Sequence, residues 1–412
     1  ASAKFDPSIR SELTEPVTLM SKDGVLEVRL ITQQDQARLD TVAVPVKNFM
    51  LFAYELIRGR SKEPFLGVLL TYGDESPAPA LPEERRISYV NQVAPLQEIR
   101  LGLIGAGNFA QNTLLPILKH FSGLSRLGVA SASGVHAAHV ARKFGFAYAT
   151  SEAREILDDP QVTLVAILTR HDSHASLACQ ALERGKHVFV EKPLAIDGSQ
   201  LEEISQALAQ AKTLLMVGFN RRFAPLAQRL KELLAARHEP LFAHYRVNAG
   251  YLPPEHWLHH PRQGGGRLIG EACHFVDFLT FLVGGIPELV SVRALPDSGR
   301  YHRDNFTLTL RFADGSLAVL DYLANGDRSY PKERLEVFWG GAIAILDDFH
   351  RLEWFRAGQR RVYRSRQDKG WQGEWEAFLR AIRAGGPPPI PYEQLIAVTH
   401  LTIQAAGEIN RS

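Results

Sequence analysis

Hydrophobic and polar positions change rhythm three times along the chain. Residues 25–31 (VLEVRLI) and 41–46 (TVAVPV) alternate with the period of two expected of half-buried strands, and Pro45 suggests an edge. Residues 65–72 (FLGVLLTY) form another apolar run, and the Pro- and Glu-rich stretch 73–86 reads as a linker. From residue 98 the rhythm shifts. Short apolar runs at 99–104, 126–130, 164–168, 187–190 and 214–217 alternate with helix-period segments such as 136–144 and 173–184. Parallel strands need crossover helices, so this alternation predicts a doubly wound parallel α/β sheet with right-handed connections. After residue 220 a helix (224–236) leads into a strand (241–249), and a glycine triplet precedes a helical run at 268–282. Strand patterns then follow at 288–294, 305–312, 316–323, 334–339 and 342–347, with a tight turn at 313–315. Helices at 374–383 and 392–409 flank a Pro-rich stretch. Neighbouring strand runs with flanking helices predict an α+β domain whose open sheet is mostly antiparallel. Three regions result: a β-rich N-terminal accessory or fusion segment with linker (1–97), a parallel α/β domain (98–219) and an α+β domain (220–412).

The first strand of the middle region runs into LGLIGAGNFA, residues 101–110. Gly105 allows a tight turn, and Gly107 lets the backbone approach phosphates. Ala110 lets the following helix lie close on the strand. With Asn108 and Phe109 between them, these residues open a helix whose free N–H groups suit a dinucleotide pyrophosphate. The second strand normally ends in an acid that holds the adenosine ribose. Here it reads LGVASAS, residues 127–133, with no acid. Ser131 and Ser133 could meet a 2′-phosphate or the ribose, or simply cap the next helix. The cofactor is therefore NAD or NADP, with the preference undecided.

Composition adds limits. The chain has 412 residues, 45% hydrophobic and 22% charged, with net charge +2, so nothing points to nucleic acid as a partner. No apolar run approaches the ~20 residues that span a bilayer, and no secretory signal is visible. Two cysteines, Cys179 and Cys273, fit a reducing, cytoplasmic setting rather than a disulfide framework. Every histidine lies at or beyond His120, so the N-terminal region offers no histidine or cysteine for a metal.

The remaining chemistry gathers at strand ends, where open α/β sheets bind ligands. Thr169 and Arg170 follow the third strand, and His174 reads either as a cofactor-side ring or as a packed helix histidine. Glu191, Lys192 and Pro193 end the next strand. Proline restricts Lys192 to an extended or turn conformation. A lysine there could hydrogen-bond a hydroxyl or polarise a carbonyl, or remain a solvated surface lysine. In EACHFVD, residues 271–277, Glu271, His274 and Asp277 share one helix face. His274 suits general acid–base work, and Glu271 could orient it. One Glu-x-x-His supplies too few ligands for a metal, so none is expected. Asn220 and Arg222 at the domain junction, and His256 and Trp257 in EHWLHH, are candidates for substrate contact; the arginines of that junction could equally be salt-bridge residues.

Taken in order, GAGNFA, VAILTRHDSH, GKHVFVEKPLA, GFNRRF and GGGRLIGEACHFVD resemble the glucose–fructose oxidoreductase/inositol dehydrogenase family, called Gfo/Idh/MocA. The likeness runs over about residues 99–409. It implies a Rossmann domain followed by an α/β domain whose open sheet commonly makes dimer or tetramer contacts. It also implies NAD(P)-dependent hydride transfer to or from a sugar, cyclitol or nucleotide sugar. By position, Lys192 matches the family's catalytic lysine and His274 its catalytic histidine. Two places depart from the family: Gly270 stands where an aspartate is frequent, and Arg170 where proline is frequent. Redox-neutral glycoside hydrolysis and a non-catalytic NADP(H)-binding regulator are the alternatives. Residues 53–74 are similar to the tail of a zinc-type alcohol dehydrogenase module, and residues 21–30 faintly to a cupredoxin strand pair.

Overall fold

In the computed structural model, the described residues are 99–411 except 297–298, together with strands at 18–21, 24–31, 40–41, 67–72 and 86–88. By contacts the chain divides into two units, residues 1–83 and 84–412. In the first unit, β1 (Thr18–Ser21), β2 (Gly24–Ile31), β3 (Asp40–Thr41) and β4 (Gly67–Tyr72) form an antiparallel sheet. The alternating run expected at 25–31 is β2, to which the other three strands pair. Residues 42–46 and 53–66, and most of the expected linker, lie outside the described residues.

The second unit opens with β5 (Arg86–Ser88), which pairs antiparallel with β8 (Tyr148–Thr150) at a sheet edge. Residues 86–88, read from sequence as linker and N-terminal segment, thus pair with the nucleotide-binding sheet. Its other strands are β6 (Ile99–Ile104), β7 (Leu124–Ala130), β9 (Leu164–Ile167), β10 (His187–Val190) and β11 (Leu215–Val217). The order is β11-β10-β9-β6-β7-β8-β5, and all but β5 run parallel. The chain winds outward from β6 to β8, then crosses to β9 on the other side of β6. That reversal leaves a crevice above the carboxyl ends of β6 and β9. The strands read as unbroken apolar runs because helices cover both faces; every residue of β9 is buried. Ser133 and Asp197 cap the helices Gly134–Phe144 and Gly198–Gln210 by accepting from the backbone N–H groups of His136 and Gln200.

The second sheet contains β12 (Phe242–Asn248), β13 (Pro287–Ala294), β14 (Phe306–Phe312), β15 (Leu317–Leu323), β16 (Glu333–Trp339), β17 (Ala342–Asp347), β18 (Arg351–Arg356) and β19 (Gln359–Arg364). Its order is β13-β14-β15-β12-β16-β17-β18-β19, antiparallel except for β12 beside β15. Alternate residues such as Leu308, Leu310, Leu335 and Val337 are buried, while the intervening ones face away. Sequence pattern did not reveal β18 and β19. Their sequences, RLEWFR and QRRVYR, end the sheet, where charged side chains replace apolar alternation. The expected helix at 268–282 is real but begins as a π-helical turn, Leu268–Ala272, before Cys273–Val283. Helix Trp371–Ala384 returns to the parallel sheet: Trp375 and Phe378 lie against Phe189 of β10 at ring separations of 4.5 and 6.4 Å. The sequence division at residue 219 is therefore crossed by the chain's own end.

Candidate functional site

Gly105 ends β6 with φ +97°, and a Cβ there would stand 2.5 Å from the Leu168 carbonyl oxygen. Glycine alone lets the β6 and β9 loops touch. Nothing lies within 4 Å of where a Gly107 side chain would be. The helix begins at Asn108 with that open space before it, and buried Ala110 lies under it. This cradle of free backbone beside a helix start fits a dinucleotide pyrophosphate. Ser131 donates its N–H to Thr150, and Ser133 caps its helix. Ser133 therefore takes the structural role that the sequence left open, and no acid follows β7.

At the end of β9, the hydroxyls of Thr169 and Ser173 are 2.6 Å apart. His174 is fully buried, with Nδ1 2.8 Å from the Pro193 carbonyl and Nε2 3.2 Å from that of Thr169. Burial holds its pKa below the usual histidine range. The neutral ring ties the β9 and β10 loops together. At the end of β10, Lys192 Nζ donates to the Gly270 carbonyl at 2.8 Å. Glu191 accepts from the Lys192 N–H, and burial pushes its carboxyl up to about 7, with Lys192 opposing. At the end of β11, Asn220 donates to the Lys369 carbonyl at 2.7 Å.

The facing wall is built from charge. Arg221 makes two hydrogen bonds, of 2.8 and 2.9 Å, to Glu333, which also accepts from Tyr245 and Lys369. Burial opposes ionisation of Glu333, but Arg221 and Lys369 outweigh it and hold the carboxyl far below the usual range. Arg267 and the Tyr322 hydroxyl donate to Glu271. Burial pushes the Glu271 carboxyl up, yet Arg267 and then Lys192 bring it down to about 2. His274 Nδ1 is buried without a hydrogen-bond partner among the described residues. Burial first, then the cations around it, hold this imidazole well below its usual pKa, so it is neutral at neutral pH.

A cavity of about 340 Å³ joins these walls. Of the residues expected from sequence, Phe109, Thr169, His174, Glu191, Lys192, Asn220, Trp257, Glu271 and His274 line it. The residues of the glycine turn other than Phe109, with Ser131 and Ser133, lie outside it, and so do Arg170, Arg222 and His256. Arg222 is buried in a pair of 2.6 and 2.7 Å hydrogen bonds to Asp277, with Gln394 as a third partner. Arg170 is exposed and turns to Gln263, its guanidinium 5.6 Å from the Trp257 ring. His256 accepts from the Leu258 N–H and so caps a short turn. Sequence reasoning missed His171, Phe275, Tyr322, Lys332 and Trp371, which do line the cavity; Arg221, left open between substrate contact and salt bridge, lines it too. His171 had a signal in Gly270. A Cβ on Gly270 would lie 2.8 Å from the His171 ring and 2.5 Å from Leu258, so the family's aspartate has no room here. His171 is tied to the Gly264 carbonyl at 2.8 Å, and burial, aided by Lys192, takes its pKa down to about 3.

A family model described as "Oxidoreductase family, NAD-binding Rossmann fold" matches residues 99–219. A second, "GFO/IDH/MocA C-terminal domain", matches residues 228–340. The chain belongs to the Gfo/Idh/MocA oxidoreductase family. Within that family it is 25% identical over 314 residues to the myo-inositol 2-dehydrogenase of Thermotoga maritima, covering 72% of this chain and 91% of that protein. A levoglucosan dehydrogenase solved with NADH and levoglucosan superposes with TM-score 0.65 at 24% identity, over 76% of this chain and 98% of its own. A 3-ketoreductase from Actinomadura kijaniata, solved with NADP, gives TM-score 0.66 at 19% identity, over 76% and 97%. The Gfo/Idh/MocA assignment makes this an NAD(P)-dependent oxidoreductase whose NAD-binding Rossmann fold is residues 99–219. Among the described residues, no group of three His, Cys, Asp or Glu is placed to hold a metal, and no helix is long and apolar enough to cross a membrane.

Proposed function

We propose that this site oxidises or reduces a carbinol carbon of a sugar, cyclitol or nucleotide sugar, with Lys192 and His274 as the catalytic residues. The observation that carries the reading is the meeting of Lys192 and neutral His274 in one cavity beside the glycine cradle. When bound, the nicotinamide accepts or delivers the hydride. In the oxidising direction the neutral His274 takes the hydroxyl proton. The Lys192 ammonium, already aimed across the cavity at Gly270, steadies the oxygen as it gains negative charge. Reduction runs the same proton back. Asn220, Trp257 and Glu271 supply a polar and aromatic wall suited to ring hydroxyls.

The test is Lys192→Ala with initial rates on a panel of polyols and sugars, followed as net NAD(P)H change. A fall of about 10²–10⁴-fold in kcat is expected with cofactor affinity retained. Undiminished turnover defeats the assignment. Turnover without net NAD(P)H change would point instead to redox-neutral glycoside hydrolysis.

The protein is further read as a cytoplasmic homodimer or homotetramer. Phe242, directly opposite both Leu317 and Phe338, forms an apolar patch on the open face of the second sheet. These three side chains are 39–42% exposed. Light scattering on wild type and Phe338→Glu tests it, with dissociation expected in the variant.

A further inference from the structure

We propose that the substrate carries a small oxyanion on its ring, a carboxylate or a phosphate ester, and that Lys332 holds it. This rests on the sugar or cyclitol reading above and narrows it. The ionisable acids and bases other than histidine and tyrosine that line the cavity are Glu191, Lys192, Arg221, Glu271 and Lys332. Arg221 is spent on Glu333, and Glu271 on Arg267 and Tyr322. Glu191 titrates at about 7 and so supplies only a partial negative charge at neutral pH. The histidines at 171, 174 and 274 are held neutral. Two ammoniums remain with no carboxylate in direct hydrogen-bond contact, although Glu333 and Glu271 bear on Lys332 electrostatically. Lys192 donates to a backbone carbonyl, whereas the Lys332 ammonium makes no hydrogen bond or ion pair among the described residues.

The two lysines share one end of the cavity, since both bear electrostatically on Glu271 and on His274. Lys332 is fixed at its backbone: its carbonyl accepts the Asn248 N–H at 2.7 Å, immediately before β16 and Glu333. Lys332 is exposed and Lys192 half-buried at the cavity, so their like charges are open to a ligand, and a neutral sugar leaves the repulsion between them in place. A carboxylate or phosphate removes it and accepts charge-assisted hydrogen bonds that a hydroxyl matches only weakly.

The experiment is calorimetric titration of the full chain, loaded with NADH or NADPH, using D-glucuronate, D-glucose 6-phosphate and D-glucose. At least one acid is expected to bind ten times more tightly than glucose, and the stronger of the two names the oxyanion. Lys332→Met should shrink the acid-to-neutral affinity ratio about 10- to 100-fold, as loss of a hydrogen bond to a charged group does, while Lys332→Arg keeps much of it. Equal affinity for all three compounds, no binding of either acid, or an acid preference that survives Lys332→Met overturns the proposal. Turnover is measured on the same compounds. Lys332-dependent acid binding with no hydride transfer to any sugar or cyclitol would leave the oxyanion site standing and remove the catalytic reading instead.

Discussion

The two walls of the cavity are positioned by different means. On the parallel-sheet side, Gly105, Thr169, Lys192 and Asn220 follow β6, β9, β10 and β11, which are neighbours in the sheet. Strand order alone brings them together, and their contacts are largely with backbone carbonyls. On the facing side, Arg221, Glu333 and Lys369 form one ion network, and Arg267, Glu271 and Tyr322 another. Topology places one wall, and charge places the other. The first should therefore fail by steric intrusion, and the second by loss of a partner.

The largest effect is expected from Glu333→Ala. It strands Arg221, whose side chain is only 7% exposed, and takes from Lys369 one of its two carboxylate partners, leaving Asp348. A loss of about 3–5 kcal/mol in denaturant unfolding should follow, and a loss below about 1 kcal/mol would show that this wall does not depend on its ions. Gly105→Ala attacks the other wall, pressing a methyl onto the Leu168 carbonyl at a left-handed backbone. About 1–3 kcal/mol of destabilisation is expected, with NADH binding weakened in a fluorescence titration. Gly270→Asp should cost about 1–3 kcal/mol by crowding His171 and Leu258. Adding His171→Ala should recover part of that loss, because the two sites touch.

Glu191→Gln should give the smallest change, read as a pH dependence. The native carboxyl titrates at about 7, above its ordinary 4.5. The folded state thus binds this proton more tightly, so its contribution is fully present below 4.5 and is lost as pH rises through 7. Wild-type melting temperature should fall across that window more steeply than that of the Gln variant. Parallel curves would mean that Glu191 is not held in its protonated form.

What was legible in the sequence follows the same division. The glycine turn, the strand alternation and Lys192 were visible because each depends on a few neighbouring residues. The charge-built wall was not, since Arg221 and Glu333 meet across 112 residues. Adjacent arginines show the limit most sharply. Both sit on one short turn, yet Arg221 lines the cavity and Arg222 goes to Asp277. No local pattern tells which of two neighbours faces which side. Likewise β19 escaped notice because an edge strand satisfies solvent rather than a core.

Helix Trp371–Ala384 bears on how such a protein can be cut. The second family match ends at residue 340, before that helix begins. Without the segment beyond, Phe189 would lose its contacts with Trp375 and Phe378, and Asn220 its partner at Lys369. The nucleotide-binding half is accordingly not an exchangeable cassette. A swap of this unit's two sheets must carry the tail that laces them.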